Sequence, residues 1–488
     1  MASVASPSVE LPSPVPELLA RLKSANPPVL TTPTPAHPDL SVARAPGRLD
    51  VMGGIADYTG SLVCELPIDC GAAVAVQRRD DHRIVIQTFN EEMGEGAERR
   101  VELSMDEFYG TAALLPVETL QALFGGARHW AAYFAGAFPV LAKQKKVTRR
   151  TTGVNIACYS TVPIGAGLAS SAAVTCAALS ALTAAFNIVL EPLEIAVLAQ
   201  KIEQQLAGAP CGVMDQVTAM LGKKDHLLLL RCQPHNVEGY APIPDGLVFA
   251  GIRSDVKHLV NGAAYRRARV SAFIAQAMIA RMYADFGVKK DPTRGYLANV
   301  TPAMLEKYFR AILPERISGK AFIEAYGGTA DRATAVDPAE TYYPRAAAEH
   351  HIGENQRVQA FAGLIGELGR TGDAAARKEL AIRAGALMVE SHRSYSVNAH
   401  LGTSETDLLV ELLMQRGADA GFYGAKITGG GNGGTVAVLA EAGDRVNAGL
   451  AEICAEYGKR TGLKPVLVMG SSAGAAETGV LRIPLSGL

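Results

Sequence analysis

The chain predicts an α+β protein of two domains, and three observations carry that prediction. It has 488 residues, more than one ordinary domain needs and comfortable for two. Strand-like and helix-like segments occur in both halves. Hydrophobic residues make up 48% and charged residues 19%, a globular balance with enough apolar content for a large core. Residues 1–40 are rich in Pro, Ser and Ala and read as a flexible extension. A first domain is then expected over 41–243 and a second over 244–488.

The elements follow in order. A short helical candidate covers 16–24. Residues 72–78 and 83–89 (AAVAVQR, RIVIQTF) are rich in Val and Ile and predict strands. Residues 128–143 predict a helix. The alternation in 153–162 predicts a strand leading into a loop at 163–167. Residues 168–186 are almost entirely Ala, Ser, Leu, Val and Thr, which favours a buried, closely packed helix. Another helix is expected over 191–207, with Pro192 in its first turn. Residues 226–231 and 247–253 predict strands on either side of the domain boundary. The second half is more helical, with helices expected at 270–286, 304–312, 353–368, 374–395 and 405–416. Strands at 425–427 and 435–439 flank a glycine cluster. A helix at 446–458 and a strand at 464–468 complete the order. No tandem repeat or heptad array is present.

Charge narrows the function classes. Lys and Arg total 47 against 48 Asp and Glu, for a net charge of −1. A nucleic-acid binder that neutralises phosphates usually has a basic excess, so no nucleic-acid partner is expected. An anionic ligand must be held by local geometry. The seven cysteines, at 64, 70, 158, 176, 211, 232 and 454, form no CxxC pair. Reduced thiols in a cytoplasmic protein are the simplest reading. The first 40 residues lack the charged start and apolar core of a secretory signal. No apolar run approaches the roughly 20 residues that span a bilayer, so no membrane association is expected.

Four segments carry chemistry. Residues 163–172 read Pro-Ile-Gly-Ala-Gly-Leu-Ala-Ser-Ser-Ala: a strand enters, glycines turn, and a small-residue helix leaves. Free N–H groups and the helix dipole favour an anion there, and glycine lets the backbone approach it. Ser170 and Ser171 add hydroxyls for a phosphate oxygen or a divalent cation. The alternative is a tight turn closed by serine caps. The Gly-Lys-Ser/Thr ending of a Walker loop is absent. The second segment, Thr428-Gly-Gly-Gly-Asn-Gly-Gly434, formally contains G-x-G-x-x-G, but a strand is expected after it where a dinucleotide site needs a helix. A lid over a phosphate fits better, and an NAD enzyme remains only as a weak alternative. The third, from Ala45 to Gly60, places Arg48, Asp50 and Asp57 among glycines; alone it reads more readily as a salt-bridged turn than as a site. The fourth, Cys211-Gly-Val-Met-Asp-Gln216, puts Asp215 in a mostly uncharged setting. Asp215 is either a carboxylate that orients or deprotonates a hydroxyl or a helix cap. Cys211 is a poorer nucleophile candidate, having no His nearby in sequence.

Together, from about residue 41 to the C-terminus, these segments resemble the GHMP small-molecule kinases, and within them the galactokinase-like sugar kinases. Residues 163–172 resemble the phosphate loop of that superfamily, 45–50 its first motif and 426–434 its third. The stretch from Glu203 through Ala209-Pro-Cys-Gly-Val-Met-Asp-Gln216 and the stretch Leu387-Met-Val-Glu-Ser-His-Arg-Ser394 are close to galactokinases. The resemblance implies two α+β domains in a GHMP kinase fold with the active site between them, and ATP and Mg²⁺ as cofactors. It implies that Asp215 faces the anomeric hydroxyl of a sugar and that Arg48 keeps Asp215 charged and steadies the transferring phosphoryl group. Ser171 and Glu203 would bind Mg²⁺. Pro163, Gly165, Ala166, Gly167, Leu168, Ala169, Ser170 and Ser171 would cradle the phosphates, with Gly430 and Gly431 in the lid. Asp57 would bind sugar hydroxyls with Gly212, and Tyr265 would do the same from the second domain. The adenine pocket is expected within 80–140. Phosphoryl transfer needs this kind of positioning and charge neutralisation more than covalent chemistry.

One departure concerns the sugar. Galactokinases carry a Glu-His pair just before the Thr-Asp-Tyr of the first motif, and the resemblance assigns that pair to the hydroxyl on the exocyclic carbon. Here Gly54 and Ile55 stand in those places. A site that gives up a hydrogen bond gives up discrimination for the hydroxyl. L-Arabinopyranose has the galactose ring configuration without that carbon. The segments RAPGRLDVMGGIADYTGSLV and YGAKITGGGNGGT, and the Gly470–Gly474 tail, resemble plant-type L-arabinokinases, although the large additional N-terminal region of those enzymes is not in this sequence. A helical insertion at about 271–343 exceeds what galactokinases need. The expected activity is ATP-dependent phosphorylation of L-arabinose at its anomeric hydroxyl. D-Galactose is the alternative substrate, and a non-catalytic sugar sensor on the same scaffold is a third reading, disfavoured because Arg48, Ser171, Glu203 and Asp215 are all present.

Overall fold

The computed structural model describes residues 11–32, 34–93, 98–111, 113–257 and 262–487. Its larger sheet has eight strands: β1 (Asp39–Met52), β2 (Leu62–Arg78), β3 (Arg83–Thr88), β4 (Arg100–Ser104), β5 (Val154–Ser160), β6 (His226–Arg231), β7 (Asn236–Pro242) and β14 (Val480–Pro484). The main order is β14-β1-β2-β5-β3-β4. On one edge β2 serves two neighbours, pairing with β5 through 72–78 and with β6 through 62–65. All these pairings are antiparallel except β3 with β5. Side chains alternate faces as a strand requires. Val74 and Val76 join a core with the Ser170–Ala185 and Pro192–Gln205 helices, while Ala73 and Ala75 pack under the Val15–Ser24 helix.

The second sheet contains β8 (Leu247–Arg253), β11 (Phe422–Ile427), β12 (Thr435–Glu441) and β13 (Val466–Val468), in the order β11-β12-β8-β13. Helices Pro344–Leu368 and Ala374–Val397 cover one face, and Ser404–Arg416 and Asp444–Thr461 the other. The first face is shared. Leu49, Met52 and Leu66 of the large sheet and Phe249, Ala437 and Leu439 of the small one enter a single cluster with Val358 and Phe361. Between 263 and 343 the Ala263–Asp285 helix, the Gly319–Tyr326 helix and a two-residue ladder of β9 (Ile317–Ser318) with β10 (Thr341–Tyr342) build a separate cluster around Ile274, Phe309 and Phe322.

Three expectations are corrected. The described part of the proposed extension is not loose: Val15, Leu18, Leu22 and Val29 are buried against the large sheet, and Arg44 Nε donates to the Ser13 carbonyl at 3.1 Å. A division at 243/244 leaves β14 on the wrong side, because it returns to pair with β1. Of the 45–60 segment read as a salt-bridged turn, residues 45–52 belong to the 14-residue strand β1, and 54–59 form a 3₁₀ turn. Irregular register between Pro46 and Arg48 and between Asp50 and Met52 re-aims side chains there, as bulges do. A smaller difference lies at 128–143, where a 3₁₀ turn (Gly126–Ala131) leads into two short helices that meet at Gly136. A side chain at Gly136 would press on Ile202 and Leu206.

Candidate active site

The loop after β5 opens onto a cleft of about 810 Å³. Gly165 and Gly167 have φ of 67° and 72°, and Ala169 also lies in the left-handed region. Ala169 is the N-cap of the Ser170–Ala185 helix and supplies no side-chain cap, so the helix presents uncapped N–H groups at this end. The serine-cap alternative is thereby removed: Ser170 Oγ donates back to the Val162 carbonyl at 3.4 Å, and the Ser171 hydroxyl is bonded to Glu203. Residues 163–171 all line the cleft. Both sheets hold the loop. Arg48 N–H donates to the Leu168 carbonyl at 3.1 Å, and Thr435 Oγ1 donates to that of Ala166 at 2.8 Å.

Arg48 is the centre of the charge pattern, with only 3% of its side chain exposed. Nε and Nη2 reach Asp215 Oδ1 at 2.9 and 2.7 Å. Nη1 donates to the Gly167 carbonyl at 2.6 Å. Its Nε also lies 3.2 Å from Glu65 Oε2. Burial lowers the Arg48 pKa, but Asp215, Glu65 and Asp50 outweigh it and hold the guanidinium above its usual value. Asp215 is the second residue of the Met214–Leu221 helix, where the dipole favours an anion. No side-chain cap bond is made at Val213, so the cap alternative for Asp215 also falls. Asp50 is paired elsewhere, accepting from Lys426 Nζ at 2.7 Å and from the Gly54 and Gly429 N–H groups. Burial opposes charge on Asp50, yet Lys426 and Arg48 hold its pKa below the usual range.

Two further carboxyls face the same cleft. Glu203 accepts from Gln216 Nε2 at 2.7 Å, and burial pushes its pKa up to about 7 against the lowering effect of Gln216 and Ser171. Asp57, in the Gly54–Thr59 turn, is pushed up to about 7 by burial and then by Asp215. Gly212 makes room for it, since a Cβ there would overlap the Asp57 carboxyl. Tyr265 donates to the Pro210 carbonyl at 3.3 Å. Arg269 shares that carbonyl and holds Asp331 with two bonds of 2.8 and 2.9 Å. Cys211 also lines the cleft, but burial raises its thiol well above the usual value, which makes it unreactive.

The structure thus gathers Arg48, Ile55, Asp57, residues 163–171, Glu203, Gly212, Asp215, Tyr265 and Gly430 around one cleft. Gly54 and Gly431 stand behind its wall. Gly54 has φ +48°, and a Cβ on it would overlap the Tyr395 hydroxyl. That hydroxyl accepts from the Ile55 N–H and donates to the Gly429 carbonyl, each at 2.8 Å. A strand, β12, leaves the second glycine cluster, which disposes of the dinucleotide alternative. Sequence reasoning looked for the adenine pocket within 80–140 but named neither the aromatic wall of Trp130, Tyr133 and Phe134 nor the polar rim of Arg253, Asp255 and Lys257. Trp130, the chain's single tryptophan, was a signal that could have named the wall. Among the described residues no helix is long and apolar enough to cross a membrane.

Comparison with known proteins follows the same lines. Residues 132–223 match the family model described as the GHMP kinases N terminal domain. An L-arabinokinase of Arabidopsis thaliana is 36% identical over 91% of this chain; the match spans 47% of that protein, so the chain covers about half of its length. A galactokinase of Actinobacillus pleuropneumoniae serotype 3 (strain JL03) is 31% identical over 86% of this chain and 90% of its own length. The crystal structure of Lactococcus lactis galactokinase complexed with galactose superposes with a TM-score of 0.70 at 18% identity, covering 96% of this chain and all of that one.

Proposed function

The chain belongs to the GHMP kinases, as a sugar kinase of the galactokinase and arabinokinase type, and from that premise we propose that it transfers the γ-phosphoryl group of ATP to the anomeric hydroxyl of L-arabinose. Asp215 meets that hydroxyl and accepts its proton as the new O–P bond forms and the bond to ADP breaks. Arg48 bridges Asp215 and the phosphate loop through contacts of 2.7 and 2.6 Å, which suits it to the charge on the moving group. Asp57, with a pKa pushed up to about 7 and so about half protonated at pH 7, donates to or accepts from a sugar hydroxyl, with Gly212 and Tyr265 beside it. The aromatic wall at 130–134 offers the adenine a flat apolar surface. The loop at 163–171 takes the phosphates on its backbone, with Gly430 and Gly431 on the opposite side.

Glu203 and Ser171 fit a Mg²⁺ ion. They form an oxygen-only pair, and a carboxyl that burial holds up to about 7 gains from an adjacent dication. Mg²⁺ is commonly held by one or two carboxylates plus phosphates rather than by a protein cage. Bound there, it would neutralise phosphate charge.

The observation that carries the choice of sugar is the wall at Gly54 and Ile55. The Tyr395 hydroxyl fills the space a side chain at 54 would need, and Ile55 faces the cleft. An apolar end of that kind suits a sugar without the exocyclic CH₂OH, and the relative with 36% identity carries the name L-arabinokinase. The test is kcat/KM for L-arabinose and D-galactose on the purified protein in a coupled ADP assay. L-Arabinose is expected to win. D-Galactose ahead by about tenfold, a 1.4 kcal/mol preference, would make the enzyme a galactokinase. That second reading is favoured by the galactokinase relative matched over 90% of its length.

A further inference from the structure

Glu65 is a buried acid that the chemistry above does not use. It lies on β2 directly opposite Asp50 of β1, with no exposed surface. Neither oxygen accepts a hydrogen bond among the described residues, and the carboxyl has Asp50 as a side-chain hydrogen-bond neighbour. A carboxyl in such a place is costly, and an apolar side chain of similar length would fill the space without that cost. The one ionic contact it has is with Arg48, Oε2 to Nε at 3.2 Å.

Arg48 uses its planar fork in two directions at once. Nε and Nη2 donate to Asp215 and Nη1 to the Gly167 carbonyl, while Glu65 Oε2 lies 3.2 Å from Nε outside those bonds. A guanidinium turned about its stem would lose one of the two. We propose that Glu65 is a positioning residue for Arg48: it fixes the rotation of the guanidinium, so that Asp215 and the phosphate loop are engaged together. This rests on reading Arg48 and Asp215 as the catalytic pair.

The surrounding charges agree. Arg48 and Asp50 face Glu65 from β1 and Asp215 from the Met214–Leu221 helix, and Lys426 of β11 stands behind Asp50. Two carboxylates and two cations already balance. Burial, and then Asp50, hold the Glu65 carboxyl well above the usual range against the pull of Arg48.

The experiment is steady-state kinetics on Glu65→Gln and Glu65→Met, with Asp215→Asn as the marker of the catalytic pair and thermal unfolding as the check on folding. Glu65→Gln keeps the shape and a carbonyl, and is expected to lose about threefold or less in kcat. Glu65→Met is expected to fold and to lose about tenfold or more in kcat, with both KM values within about twofold. A Met variant as fast as wild type overturns the proposal, as does a Gln variant as slow as Met or a loss confined to KM. If Asp215→Asn keeps its kcat, the reading of the pair fails and the proposal falls with it.

Discussion

Gly54 holds its left-handed turn only because nothing projects from it, and the volume beside it belongs to the Tyr395 hydroxyl. Gly54→Ala is therefore expected to lower stability by about 2 kcal/mol or more. Tyr395→Leu in the same chain should return part of the loss. Chemical denaturation of both single variants and the double closes that cycle, and simple additivity would mean the two side chains do not share the space. The resemblance made Gly54 and Ile55 legible as a departure. Tyr395 was not legible, because its bond to Ile55 spans 340 positions and no local pattern pairs them. Asp57 and Glu203, both held up to about 7, add a pH effect. Their unfolded values lie near 4, so between about pH 4 and 7 the folded chain keeps protons that the unfolded chain has released. Their contribution to stability then falls as pH rises through that window and flattens above it, against the opposite slope from buried His350 and His351. Thermal unfolding without nucleotide should therefore show Asp57→Asn losing less stability, or gaining more, than wild type between about pH 4 and 7.

At the level of elements, the helices around the cleft were the most readable. The small-residue run at 168–186 becomes Ser170–Ala185, and the run at 191–207 becomes Pro192–Gln205, because long periodic stretches outweigh local noise. β1 was hidden by Pro46 and Gly47, which read as a turn when seen alone and as a bulge when a 17-residue neighbour supplies the ladder. The Val15–Ser24 helix was foreseen as a helix but not as part of the core, since Pro, Ser and Ala around it conceal the Val15, Leu18 and Leu22 stripe. Leu18 has no exposed surface. Leu18→Ala is expected to cost about 2–5 kcal/mol, measured by urea unfolding. A cost near zero would mean that the helix does not dock on the large sheet in solution.

In the whole molecule the two sheets share a core through Leu49, Leu66, Phe249 and Leu439, and the cleft lies where the phosphate loop of one sheet meets the glycine loop of the other. Composition and element order showed the two-part character of the chain. They did not show β14, a five-residue strand carrying Arg482 and Pro484, which becomes an element only when β1 is present to pair with it. That pairing joins Asp39 to Pro484 and sets a timetable for the chain as it is made. At about 5–20 residues per second, the first of these residues waits roughly 20–90 s for the second. Throughout that wait the rim of β1 is open, and Leu40 and Val42 lack Leu485, their companion in the finished core. A chain that has not yet made residues 480–484 therefore carries a bare β1 rim that another strand or a chaperone can occupy, and β14 becomes the edge strand once it pairs.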